Sequence, residues 1–421
     1  MTHDPATTLA EYRAATKAWC SALLNRHLRR YWFRAVGGDG HLDALVVSLE
    51  EVAAGLGDTT MTPPYPLPSQ AEVEAAVATT AAKSAALREA HPELPICQLI
   101  RRLGLDPVST AILELLGVLQ SEPSLARVAT FAWADFGQKR PSVAFVMEAI
   151  ADDLAGREAV EMGLGPGTRL RRLELVRLGG SEGRPFLDRS LLLADAVRRY
   201  LNGHPPFSDD YPTGAYSVEV KGRGLDEVVL PKDERVGAVL KGVVDSTAEG
   251  PAMLVGEPGS GRRTLTRAYA LQQNRVLLVV DLAGLPRSGP AFESQFAALL
   301  RDGLLSEGVV LVRCDRITDR DDPRIPVMVR TLRTIAPPTV LATRAAGAPH
   351  LVDAMPELHA VVLDAGDDAT RRRLYAQLLV QNAFELDEHQ LTELADIYRL
   401  RPGDLQRALR DVRAGTGEGE G

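Results

Sequence analysis

The sequence predicts an α/β domain in its C-terminal half, with a five-stranded parallel sheet and a helical lid, preceded by two mainly helical regions. Three observations predict it. From about residue 225, short runs of Val and Leu alternate with helical patterns, the mark of a parallel sheet with crossover helices. One run leads without a break into a glycine-rich loop and then a helix. From residue 369 the pattern turns wholly helical up to residue 413.

The strand candidates are residues 252–255, 276–282, 309–313, 339–343 and 360–363, and helices are expected at 262–272, 291–301 and 324–334. Continuous apolar strands fit a sheet covered on both faces. This core spans 225–366 and the lid 367–413, with a disordered tail at 414–421.

Upstream, residues 1–75 read as a helical region, with Leu9, Tyr12, Ala15, Trp19, Leu23 and Leu24 near helical spacing. Residues 26–34 (RHLRRYWFR) read as core aromatics whose arginines snorkel to water. Four prolines in residues 59–69 mark a linker. Residues 76–205 hold helical patterns at 72–90, 95–103, 106–119, 125–135 and 142–154. Residues 169–178 then alternate like a half-buried strand, 179–183 form a turn, and 185–193 return. Helices followed by a β-hairpin outline a winged helix. Residues 206–224 read as a second linker.

A chain of 421 residues fits two or three domains. A net charge of −8 argues against attachment to nucleic acid or acidic membrane by bulk charge. The first 20 residues lack a signal-peptide pattern, and no apolar run is long enough to span a bilayer, so the expectation is a cytoplasmic protein without a membrane partner. Cys20, Cys97 and Cys314 are far apart and give no metal-ligand spacing.

The chemistry centres on Gly256, Glu257, Pro258, Gly259, Ser260 and Gly261, a G-x-x-x-x-G pattern between a strand and a helix. Successive backbone N–H groups and the positive end of the helix make a cradle for phosphate oxygens. The following positions depart from the pattern. Arg262 and Arg263 stand where Lys and a hydroxyl are expected, and Thr264 comes one place late. The Lys reaches terminal phosphates and the hydroxyl holds Mg²⁺. Arg is longer, planar and forked, so the exchange is not conservative.

Asp315, after the strand 309–313, can orient a metal, but the next residue is Arg316, which cannot take a proton from water. Thr343 ends the adjacent strand and is a candidate sensor of a terminal phosphate. In the lid, residues 400–409 (LRPGDLQRAL) place Arg401, Gln406 and Arg407 near a Gly turn, with Arg401 and Arg407 as candidate phosphate contacts.

Taken in this order, the loop, the Asp315 strand, the Thr343 strand and the lid resemble the AAA+ ATPase superfamily over residues 225–413. The segment VVLPKDERVGAVL resembles the lead-in placed before its first strand, and residues 96–200 resemble the winged-helix domain of a bacterial subset. Some of that subset accompany contractile injection particles. The resemblance implies an α/β ATPase core with a helical lid, ring assembly, ATP or ADP as ligand, and remodelling of a protein partner. The departures are Arg262, Arg263, Arg316, Gln406 at the usual place of a lid arginine, and no arginine between Arg344 and Arg371. They imply a non-hydrolysing or weakly active scaffold or regulatory subunit in which Mg²⁺ has no evident holder.

Two fates are open for Arg262 and Arg263: neutralising phosphate without metal, or folding back on Asp315 and filling the pocket. The competing functions are a slow ATPase using Asp315 and Thr264, and DNA binding through the arginine-rich stretch 169–199.

Overall fold

A computed structural model describes residues 4–35, 69–132, 140–179, 183–208, 210–229, 233–247, 250–363 and 368–416. The Pro-rich stretch 59–68, the turn at 180–182 and the tail 417–421 fall outside them, as do the side chains of residues 29–35. The chain divides into two compact units, 1–208 and 209–421. No described helix is long and apolar enough to cross a membrane.

In the first unit, α1 (Pro5–Ala35) packs along α2 (Gln70–Ala90). Tyr12, Ala15, Trp19, Leu23 and Leu24 are buried, and Tyr12 joins Leu94 and Ile96 in one cluster. The N-terminal helix is therefore part of the same unit as the helices that follow. Ser69 caps α2 in a reciprocal box with Glu72. Next come α3 (Pro95–Leu103), α4 (Pro107–Ser121), α5 (Pro123–Ala132), α6 (Val143–Ile150) and α7 (Leu154–Gly163).

The expectation of one helix over 142–154 is corrected. It ends at Ala151, and Asp153 caps a new helix by accepting from the Gly156 N–H at 2.8 Å. The expected strand 169–178 is also shorter. Arg169–Arg172 forms a helical turn, α8, which Glu174 closes with φ of 51°, and only Val176–Gly179, β1, is extended. Its antiparallel partner is β2 (Ser190–Leu193), preceded by a 3-10 turn at Phe186–Asp188 and followed by α9 (Asp195–Leu201). A bridge from Ser142 to Ser190 adds a third, short strand-like contact.

Arg26 does not snorkel. Its guanidinium, 1% exposed, donates to Ala149 O at 2.8 Å and Ile150 O at 3.2 Å, and pairs with Glu74 and Asp152.

In the second unit, β3 (Tyr216–Glu219) precedes α10 (Glu234–Val244), β4 (Ala252–Val255), α11 (Arg262–Gln272), β5 (Leu277–Asp281), α12 (Gly289–Leu305), β6 (Val309–Arg313), α13 (Arg324–Thr334), β7 (Thr339–Thr343), α14 (Ala348–Ala354) and β8 (His359–Val362). The sheet has six strands in the order β3-β5-β6-β7-β4-β8, where five parallel strands were expected. The sixth, β3, is antiparallel to β5 and lies in the stretch read as a linker. It is four residues long on a sheet edge with only partial burial, and Tyr216 and Val218 are its only apolar residues, too few to mark a strand. Tyr211, in the same stretch, is anchored by donating its hydroxyl to the buried Asp302.

Valines and leucines of β4 to β7 pack against α10 and α11 in one core, including Leu240, Leu254, Leu265, Val279, Leu311 and Val340. The C-terminal segment forms three helices, α15 (Asp368–Gln381), α16 (Glu388–Ile397) and α17 (Pro402–Thr416), around Tyr375, Leu378, Leu379, Leu405 and Leu409.

Candidate functional site

Strand β4 sits inside the sheet between β7 and β8. The chain leaves β4 for β5 in one direction, and leaves β7 for β8 in the other. Right-handed crossovers then place the following helices on opposite faces. That makes the C-terminal ends of β4 and β7 a switch point, where open α/β sheets form a crevice. The 256–261 loop occupies it. Gly256 N–H donates to Thr343 O at 2.9 Å, in register with the Val255–Thr343 pair. Gly259 and Gly261 have φ of 89° and 94°, which a Cβ would strain. Gly261 is the N-cap of α11 and no side chain caps that helix end. The first amides of α11 thus have no capping side chain, and the helix end carries the positive pole of the dipole.

Arg262 folds back. Its guanidinium, 7% exposed, makes a 2.8 Å ion pair with Asp315 Oδ1, whose side chain is 12% exposed. Arg313 holds Asp281 at 2.8 Å and lies 3.7 Å from Asp315 Oδ2. Arg263 turns the other way, to Glu219 on β3, which Arg267 also reaches at 3.2 Å. Thr264 is half-buried on the first turn of α11, and Arg316 is exposed. Cys314, beside Asp315, is fully buried, and burial followed by the Asp315 charge pushes its thiol far up, so it is no nucleophile.

Three hydroxyl or carboxylate oxygens here are buried without a hydrogen-bond partner: Ser260 Oγ, Asp315 Oδ2 and Thr343 Oγ1. A Cβ at Gly256 would lie 2.8 Å from Ser260 Oγ, and one at Gly347 would lie 2.8 Å from Thr343 Oγ1. The Ser260 hydroxyl therefore points into the hollow of its own loop, whereas that of Thr343 points toward Gly347.

From the C-terminal segment, the start of α17 approaches the loop. Gly403 N–H donates to Gly259 O at 3.0 Å. Arg401 is exposed beside the loop, its Cβ 3.8 Å from where a Cβ on Gly259 would lie. Arg407 points elsewhere: it is 72% exposed and pairs at 3.8 Å with Asp404 on its own helix. The structure thus brings together the loop, Arg262, Asp315, Arg401 and the Thr343 carbonyl, and leaves Arg263, Arg407 and the Thr343 hydroxyl outside. Glu219 and Gly403 were not singled out in the sequence. The alternation of Tyr216, Ser217, Val218 and Glu219 was the available signal for the first.

Residues 58–210 match the family described as winged helix domain, variant. The winged-helix match takes in α2 to α9 and the β1–β2 hairpin, while α1 lies before it. No curated protein matches the chain. Among solved structures, the chain is similar to the crystal structure of the FIGL-1 AAA domain in complex with ADP, at 17% identity, over 50% of this chain and 78% of that one, with a TM-score of 0.39. It is also similar to a structure described as the structural basis for katanin self-assembly, at 15% identity, over 47% and 73% of the two chains, with a TM-score of 0.35.

Proposed function

We propose that the second unit is an AAA+-type module whose 256–261 phosphate loop takes ATP or ADP without Mg²⁺ and does not hydrolyse it, serving as a scaffold or regulatory subunit of a protein-remodelling assembly. The observation that carries this reading is the Arg262–Asp315 ion pair at the mouth of the loop.

The backbone of the loop suits phosphate: a switch-point crevice, an uncapped helix N-terminus and glycines at positive φ. The side chains do not suit a metal. Position 263 offers a cation directed at Glu219 in place of a hydroxyl, and Asp315 is already engaged by Arg262. Arg262 has folded back on Asp315, so the positive pole that phosphate would meet without a bridging ion is that of the loop backbone and the α11 N-terminus. Arg316, exposed and cationic, offers no acceptor for a proton of water.

The arginine-rich stretch of the winged helix weighs less for DNA, because several of its guanidinium groups bond within the fold. Arg169 donates to Leu103 O and Gly104 O, Arg177 to Glu174, Arg198 to Asp195 and Arg199 to Pro205 O.

The test is calorimetric titration with ATP and ADP, with and without Mg²⁺, beside a phosphate-release assay. Binding that is indifferent to Mg²⁺, with no release, is expected. Mg²⁺-dependent release abolished by Asp315→Ala would overturn the reading.

A further inference from the structure

We propose that the Pro402–Gly403 turn of the lid is a latch that holds the phosphate loop closed, so that phosphate is admitted only when the lid lifts. The inference rests on the reading of 256–261 as a phosphate loop, and adds a control on it.

The geometry is a backbone-to-backbone contact. Gly403 N–H donates to Gly259 O at 3.0 Å. Any Cβ at position 403 would fall 2.8 Å from Gly259 Cα, so the approach depends on glycine there. Two helix N-termini, those of α11 and the 15-residue α17, converge on one place. Such ends attract anions, yet the second residue of α17 gives its amide to a loop carbonyl.

The turn is itself held. Tyr375, wholly buried in the lid core, donates its hydroxyl to Tyr398 O at 2.6 Å and Leu400 O at 3.0 Å, which fixes the segment leading to Gly403. A second tie joins lid to core: Gln377 Nε2 donates to Glu227 O, just before the lead-in segment. On the sheet side of the loop, Arg262 is paired with Asp315.

Gly403→Ala tests this directly. Gly403 has no positive φ, so alanine fits its backbone and favours the helix while its Cβ displaces the loop. The measurement is amide hydrogen exchange of the peptide covering 400–406, which carries the residue-403 amide that makes the bond, in full-length, nucleotide-free protein, with circular dichroism confirming the lid helices. Losing one hydrogen bond of this kind predicts exchange roughly three- to tenfold faster. ADP affinity without metal should rise by a similar factor, because a loop open for a larger fraction of time binds more tightly.

Tyr375→Phe, which releases the turn without adding bulk, should move both readouts the same way. Unchanged exchange in both variants overturns the latch whatever ADP does. Faster exchange with no ADP binding in any form upholds the latch and overturns the nucleotide reading, so the two failures are separable.

Discussion

Cutting the Arg262–Asp315 pair should weaken the second unit by an amount that can be worked out from its burial. Both side chains are close to nine-tenths buried and 2.8 Å apart. Removing one partner of such a pair leaves a charge with neither water nor counter-ion, which costs about 3 kcal/mol. For a domain of roughly 200 residues, each kcal/mol moves the midpoint by roughly 2–4 °C, so Asp315→Ala should melt about 6–12 °C lower. Replacing both, as Arg262→Met with Asp315→Leu, removes the stranded charge and should return most of the loss. The cycle then shows a coupling energy of about 2–3 kcal/mol.

The assay has a built-in separation of the two units. Trp19, Trp32 and Trp133 all precede residue 209, so tryptophan fluorescence follows the first unit, and the remaining far-UV dichroism change follows the second. Single variants that shift the second transition by less than about 1 °C, or a double variant that is simply additive, would refute the argument that this pair is a buried, mutually dependent unit.

Arg26→Ala should destabilise the first unit, read by tryptophan fluorescence, by about 3 kcal/mol, because it strips the buried Ala149 carbonyl and the half-buried Ile150 carbonyl of their donor. Burial pushes the Glu114 carboxyl above its ordinary value of 4.5, against the pull of Arg88 and the Tyr12 hydroxyl. The folded state therefore holds that proton more tightly than the unfolded state. First-unit stability should fall as pH rises from 4.5 through the raised value, and Glu114→Gln should abolish that slope. Tyr211→Phe leaves Asp302 without its hydroxyl donor and should cost the second unit about 1–3 kcal/mol in denaturant unfolding.

The glycine-rich loop, its strand and its helix were legible in the linear order of residues, because strand, turn and helix are set by near neighbours. The five predicted strands of the core were found within a residue or so, since Val and Leu runs of that length have few other uses. Boundaries upstream were less legible. Residues 169–178 alternate like a strand, yet local hydrogen bonds at Thr168 to Leu173 close a helical turn first. The edge strand β3 carried almost no apolar signal, because its identity comes from pairing with β5.

By itself, the sequence determined that a G-x-x-x-x-G loop joins a strand to a helix, and that Arg262, Arg263 and Arg316 stand where Lys, a hydroxyl and an acid were expected. Those are facts of residue type at fixed spacing. The tertiary structure decided what the replacements do. Arg262 and Arg263 are neighbours of the same type, but adjacent residues on a helix project about 100° apart. One is carried into the crevice to Asp315 and the other out to Glu219. Nor does chain order place Gly403 against Gly259, since that contact exists only once three helices have packed around Tyr375.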